Sequence, residues 1–242
     1  MKKRSCLYVS YDGLLDPLGK SQILPYMTNL ADKGYTVTIL SYEKRRDVAE
    51  YLALQSTLDA HGIKWIFLDF SHGRFQLIKR LFLGVSCLIK LNRRNSFDLI
   101  HARTIIAALL VFLSRSRSPL VYDIRAFAGE WIEAGRLKQG TPQANMFNWF
   151  EDLIIRSSTG LVVLDDSGAQ YIKTTYPRLS CILKVIPTCT DLQRYSIRPV
   201  NTVSSKRQIR FAFLGGCRFP YRPDLALVLV NSFISNGYNC SI

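Results

Sequence analysis

The sequence contains no C-x-x-C pair. Its six cysteines (Cys6, Cys87, Cys181, Cys189, Cys217, Cys240) are scattered and its three histidines are dispersed. No zinc-ligand spacing results, so no metal centre is expected. Several of these cysteines lie inside apolar runs, where a buried reduced thiol is the usual occupant, which points to a reducing, cytoplasmic compartment. No run approaches the ~20 apolar residues of a membrane span. The nearest, Ile105 to Leu113, is cut off by Ser114-Arg-Ser-Arg-Ser118. The basic start, Met1 to Arg4, leads into an apolar run too short for a secretory signal. Acidic residues are scarce: 18 Asp and Glu face 32 Lys and Arg, for a net charge of +14. Such an excess suits a phosphorylated substrate, an anionic membrane surface or nucleic acid. No helix-turn-helix, RNA-binding sheet motif or finger spacing supports the last of these, and no nucleic acid partner is expected. There is no internal repeat.

Two phosphate-binding fingerprints are also missing, one of them narrowly. Gly13-Leu-Leu-Asp-Pro-Leu-Gly19-Lys20-Ser21 has five residues between its glycines where a P-loop has four. Leu14 stands where the glycine would be, and a nest of backbone amides needs the φ/ψ freedom that Leu lacks. Leu161-Val-Val-Leu-Asp165 supplies a Walker-B-like strand all the same. A P-loop-like nucleotide binder stays an alternative, as does a non-catalytic basic binding fragment. The dinucleotide fingerprint G-x-G-x-x-G is absent.

What is present is a regular alternation of strands and helices in a chain of 48% hydrophobic residues, enough for a packed core. Strands are expected at Leu7–Ser10, Tyr35–Tyr42, Ile63–Asp69, Asp98–Ala102, Pro119–Ile124, Gly160–Leu164 and Leu183–Ile186. Helices are expected at Ser21–Lys33, Arg46–Ala60, Phe75–Arg94, Thr104–Leu113, Asn145–Ser157 and Ser167–Thr175. In the second helix Val48, Tyr51, Leu52 and Leu58 read as anchors. In the third, Leu77, Ile78, Leu81, Phe82, Val85, Leu88 and Ile89 read as the core face. Its other face, with Lys79, Ser86, Lys90, Arg93 and Arg94, suits anionic lipid headgroups. This rhythm implies an α/β fold, a Rossmann-like parallel sheet with helices on both faces, over residues 1–187. A polar linker follows at 188–208. Residues 209–242 hold one strand, Ile209–Leu214, the pair Gly215-Gly216 and one helix, Pro223–Ser235. One such unit cannot bury both its faces, so an incomplete second α/β domain and a truncated chain are expected.

The first strand, its glycine loop and its helix form the layout that seats ligands at the edge of an open α/β sheet. A helix start favours an anion. Gly19, with the backbone at Lys20 and Ser21, is read as letting a phosphate approach, and Gly215 and Gly216 as doing the same from the second unit. Arg103, Arg125 and Arg222 are the cationic candidates, with surface or structural ion pairs as the competing reading. Asp123 either orients a hydroxyl or is a carboxylate satisfied by loop amides. His101 either polarises an acceptor or is structural. Asp12 either binds sugar or makes a turn. The long connection from Arg125 to Ala144, with Glu130, Trp131 and Glu133, has the length of a functional loop.

Tyr11-Asp-Gly-Leu-Leu-Asp-Pro-Leu-Gly-Lys-Ser-Gln-Ile-Leu-Pro-Tyr26 resembles the opening of the retaining glycosyltransferases of the GT-B fold, family four. Five later stretches resemble that family in the same order: Ile100–Arg103, Val121–Arg125, Val162–Ser167, Val185–Asp191 and Phe213–Tyr221. Ala126 stands where that subgroup often has Gly, and Thr188 where it has Asn. The resemblance implies transfer of a sugar from a nucleotide-sugar to a glycan or lipid-linked acceptor, with retention and with no metal or other cofactor. It implies Asp123 and Arg125 as catalytic residues and Asp12, Gln22, His101 and Arg103 at the acceptor. Taken with the reading of the loops above, Gly19, Lys20, Gly215, Gly216 and Arg222 are the donor-side candidates. The Glu-x7-Glu region of the family's donor domain does not occur in the chain. The expected setting is the cytoplasm, with peripheral contact at the inner face of the membrane.

Overall fold

The computed structural model of the chain describes residues 4–44, 47–70, 73–135, 137–189, 208–214 and 222–241. The central strand β1 (Ser5–Ser10) is buried almost throughout. It is flanked by β2 (Thr36–Glu43) and β4 (Leu99–Arg103), with β3 (Lys64–Asp69) beyond β2. On the other side lie β5 (Leu120–Asp123), β6 (Gly160–Val163) and β7 (Ile182–Val185). All pairings are parallel, and the order is β3-β2-β1-β4-β5-β6-β7. The order reverses between β1 and β4, which opens a crevice at their carboxyl ends. The expected Rossmann-like sheet is therefore the one observed.

Alternation along β1 divides the core. Leu7 and Val9 face a large cluster built with α3 (Arg74–Arg94), α4 (Thr104–Leu113), α6 (Pro142–Ser157) and α7 (Asp166–Thr175). Tyr8 faces a smaller one built with α1 (Leu24–Asp32) and α2 (Val48–Ala60). That leaves β4 to β6 less covered on the Tyr8 side, which is where the site lies. A separate parallel pair, β8 (Gln208–Arg210) and β9 (Asn239–Ser241), is joined through α8 (Pro223–Ser235). Of the linker expected over 188–208, only Thr188, Cys189 and Gln208 lie among the described residues. Gly215 and Gly216 lie outside them.

Three expectations need correction. The first helix does not begin at Ser21. Helical backbone starts at Pro17 and passes through a π-helical turn, Gly19–Ile23, before α1. Leu24 N–H reaches back five residues to the Gly19 carbonyl. Pro25 follows with no N–H to offer, so the wide turn sits where the normal ladder would be interrupted.

In α2, Leu54 and Leu58 are buried, whereas Val48 and Leu52 are exposed. The third correction concerns α3. Its buried stripe is Arg80, Gly84, Leu88 and Leu91, while Ile78 and Phe82 are 68% and 71% exposed. Gly84 is the reason. A Cβ there would collide with the Tyr42 hydroxyl and meet Leu110 at 3.1 Å. The bare backbone at Gly84 lets α3 press against α4, and this rotates Ile78 and Phe82 outward. The long connection after β5 also holds a short helix, α5 (Ala128–Glu133), that sequence periodicity did not reveal.

Candidate functional site

A cavity of about 450 Å³ opens over the carboxyl ends of β1, β4, β5 and β6. Strand register explains its wall. Tyr8 pairs with His101, and Ser10 with Arg103, which in turn pairs with Asp123. In a parallel sheet, paired residues point the same way, so these side chains share one face. From the π-helical turn and α1 the cavity receives Gln22, Pro25, Tyr26 and Asn29, a stripe at helical spacing beside the core stripe of Ile23 and Met27. Ile186 to Cys189, just past β7, complete the lining.

Asp123 is the electrostatic centre. It is 1% exposed. Its Oδ2 accepts from His101 Nε2 at 3.3 Å and from Arg125 Nε and Nη2 at 3.0 and 2.8 Å. Arg103 Nη1 stands 4.0 Å away. Burial alone would raise the carboxyl's pKa. The hydrogen bond and charge of His101, followed by those of Arg125, outweigh that and hold it below the ordinary 3.8. The other oxygen, Oδ1, is buried and has no hydrogen-bond partner among the described residues. The His101 ring packs against Tyr8 and Tyr26, with centroids 4.9 and 5.8 Å apart.

Behind this wall, Arg103 is buried, gives Nη2 to Gln22 Oε1 at 2.5 Å and holds Asp12 Oδ2 at 3.7 Å from Nε. Thr104, at φ +72°, turns the chain into α4 directly after it. A β-branched residue in that region costs about 1–3 kcal/mol. The four acceptor-side candidates, Asp12, Gln22, His101 and Arg103, thus form one connected cluster with Asp123 and Arg125.

The donor-side candidates have other surroundings. Gly19 is buried, and a Cβ there would run into the backbone of Gly13 and Leu14. Its bare α-carbon serves packing of the loop on the helix. Lys20 N–H is taken by the Asp16 carbonyl at 2.9 Å. Its side chain, 49% exposed, meets Glu50 at 3.5 Å. Arg222 precedes α8 and pairs with Asp224 at 2.6 Å. Glu43, which sequence reading passed over, is buried at the end of β2 and accepts from Leu14 N–H at 2.7 Å and Leu15 N–H at 3.2 Å. Ser41 Oγ donates to it at 2.6 Å. The loop amides that resemble a phosphate nest therefore hold an internal carboxylate.

Residues missed by sequence reading include Tyr8, Tyr26 and Asn29. For Tyr26 and Asn29 the signal was a second period on α1, polar and aromatic, alongside the apolar one; Tyr8 lies on β1 and carried no such signal. A further cavity, about 430 Å³, lies between α5 and the start of α7, with Arg125 on the boundary of both. Among the described residues no group of three or more His, Cys, Asp or Glu is placed to hold a metal ion, and no helix is long and apolar enough to cross a membrane.

A parallel Rossmann-like sheet with a charged cavity at its strand-order reversal places this chain in the class of α/β proteins built like the N-terminal half of GT-B glycosyltransferases. Residues 21–178 match the family described as glycosyl transferase 4-like domain, and the chain belongs to that family. No curated protein matches it significantly. Among solved structures it is similar to sucrose-phosphate synthase from Thermosynechococcus elongatus, with 11% identity over 86% of this chain and 55% of that one and a TM-score of 0.60. It is also similar to Arabidopsis thaliana UGT89C1 complexed with UDP-L-rhamnose (14% identity, 99% of this chain, 65% of that one, TM-score 0.56). For Phytolacca americana UGT2 complexed with UDP-2fluoro-glucose and pterostilbene the values are 12%, 97%, 65% and 0.57. At these identities the likeness is one of fold. The chain spans between about half and two thirds of the length of these proteins.

Proposed function

We propose that this chain is the acceptor-binding part of a glycosyltransferase that moves a sugar from a nucleotide-sugar to a glycan or lipid-linked acceptor, with retention at the anomeric carbon. No cofactor beyond the donor enters this reading. Family membership supports the reaction class. The observation that carries the acceptor role is Asp123, a buried carboxylate lining the cavity whose Oδ2 holds both His101 and Arg125 there.

In the reaction the bond between the anomeric carbon and the leaving diphosphate breaks. The acceptor hydroxyl oxygen bonds to that carbon and passes its proton to an oxygen of the departing diphosphate. A carboxylate with a depressed pKa is a poor proton acceptor at neutral pH. Asp123 therefore does not remove that proton; it holds His101 and Arg125 in place at the cavity wall. Arg125, fixed by two hydrogen bonds to Asp123, keeps a cation at the cavity mouth for charge that grows on the leaving group. Tyr26, on the exposed side of the cavity, offers an aromatic face to a sugar ring.

The test is to incubate the intact protein with a panel of nucleotide-sugars and free or lipid-linked glycans and to measure nucleoside diphosphate release. One donor–acceptor pair is expected to turn over, with retention read from the anomeric NMR signal of the product. Asp123→Asn should lower kcat by about 100-fold, the effect of a misplaced reactant, and leave the donor KM largely unchanged. A folded protein that turns over no pair, or an Asp123→Asn variant at the wild-type rate, overturns the reading.

A further inference from the structure

We propose that the outer face of α3 docks on an anionic lipid bilayer. This surface is separate from the cavity, and the proposal stands whether or not sugar transfer is the reaction. The helix Arg74–Arg94 contains no Asp or Glu in 21 residues. The close approach at Gly84 turns one side of it inward and leaves Ile78, Phe82 and Leu83 in solvent at 68%, 71% and 41% exposure. Lys79, Lys90, Arg93 and Arg94 are exposed on the same helix. Projected around the helix axis, Ile78 and Phe82 fall on the crest facing away from the core, and Lys79, Lys90 and Arg93 beside them. An apolar crest bordered by cations, with no acid on the element, is the pattern of a helix lying in the plane of a membrane interface.

The charge extends past the helix. Arg93 shares a surface cavity with Arg115 and Arg117 from the α4–β5 turn. Asp98, the acid in that cavity, is engaged by Ser5 N–H at 2.7 Å. At the other end of α3, exposed Phe67 of β3 lines a groove with Leu83, Lys79 and Asp69 and enlarges the apolar part of the patch. A nucleic acid would have no use for the Phe82 crest. A protein partner would have to bury lysines, which protein interfaces disfavour at their centre. An anionic bilayer takes both features: headgroups meet the cations and the acyl boundary receives Ile78 and Phe82.

The experiment is co-sedimentation of the intact protein with phosphatidylcholine vesicles and with vesicles in which a third of the lipid is phosphatidylglycerol. The protein is expected to sediment with the anionic vesicles only and to be released by high salt. The reversal Lys90→Glu/Arg93→Glu/Arg94→Glu should weaken binding by roughly fivefold per cation removed, about 100-fold together. In a second, independent variant, Ile78→Ser/Phe82→Ser should weaken it at least about tenfold by removing inserted apolar surface. All five side chains are exposed, so far-UV circular dichroism and melting temperature should match the wild type. Three results overturn the proposal: no sedimentation with either vesicle, equal sedimentation with both, or folded variants that bind as the wild type does. A wild-type dimer that Ile78→Ser/Phe82→Ser converts to monomer, with vesicle binding unaltered, would assign the face to self-association and overturn it as well.

Discussion

Replacing Glu151 with glutamine should stabilise the protein at pH 8 and leave it nearly unchanged at pH 5. Glu151 sits on α6 and is buried. Its two carboxyl oxygens accept from the single N–H of Ala128, the first residue of α5, at 3.1 and 3.0 Å. Burial pushes its pKa from the ordinary 4.5 up to about 7. The Ala128 N–H opposes that rise, and the charge of Glu130 adds to it. The folded protein thus keeps a proton that the unfolded chain releases near 4.5. Between these values the folded state binds more protons, so stability falls as pH rises. Above about pH 7 both states are ionised and the full cost is present, about 3 kcal/mol for a shift of this size.

Glutamine keeps an oxygen for Ala128 N–H and never ionises. It also brings an NH2 group that needs a partner, which offsets part of the gain. A net of about 2 kcal/mol in a chain of this length raises Tm by about 4–8 °C at pH 8. At pH 5 the wild-type carboxyl is still mostly protonated when folded, and the gain falls below about 1 kcal/mol. Calorimetric or circular-dichroism melts of both proteins at the two pH values measure this. A Tm difference that is the same at both, or that favours the wild type at pH 8, refutes the reasoning.

Gly19→Ala should destabilise the fold by about 1–3 kcal/mol, the range for overpacking, because the new Cβ meets the Gly13 and Leu14 backbone; a urea midpoint equal to wild type would refute it. Glu43→Ala removes the acceptor of Leu14 N–H, Leu15 N–H and Ser41 Oγ. At about 1–3 kcal/mol for each buried group left unsatisfied, the loss should exceed that of Glu43→Gln, and urea unfolding of the pair decides it. Asp123, depressed below 3.8, contributes stability that is present above the unfolded value and lost as pH falls through the folded one. Asp123→Asn should therefore cost about 3–5 kcal/mol near neutral pH, where it strands buried cations, and progressively less in acid. A constant difference across an acid titration of the urea midpoint would count against this.

The sheet was legible because its strands are short β-branched runs between glycines and helices, and all seven main strands fall where those runs fall. His101, Arg103 and Asp123 were legible as a group because they lie toward the carboxyl ends of two strands, β4 and β5, and a parallel sheet brings such ends together. The face of α3 was not legible. Apolar periodicity at Ile78 and Phe82 gives the same signal for a core stripe and for an exposed amphipathic one. The tie was broken by Gly84, whose neighbours Tyr42 and Leu110 are distant in sequence. Glu43 was invisible for a related reason. A carboxylate at a strand end looks solvated until the loop 29 residues upstream is folded over it.

Glu43 also decides what the opening loop is. A phosphate cradle needs backbone N–H groups that are free to turn toward a ligand. Here Leu14 and Leu15 direct theirs at the Glu43 carboxylate, and Lys20 gives its own to Asp16. The Lys20 side chain leans on Glu50 in solvent. The loop from Gly13 to Ser21 therefore carries its own anion. By pinning the loop to β2, that anion fixes where the π-helical turn begins. The turn sets the phase of α1, so that Ile23 and Met27 enter the core while Gln22, Tyr26 and Asn29 face the cavity. The motif that resembles a nucleotide clasp acts on the site at one remove: it aims a helix at the Asp123 cluster.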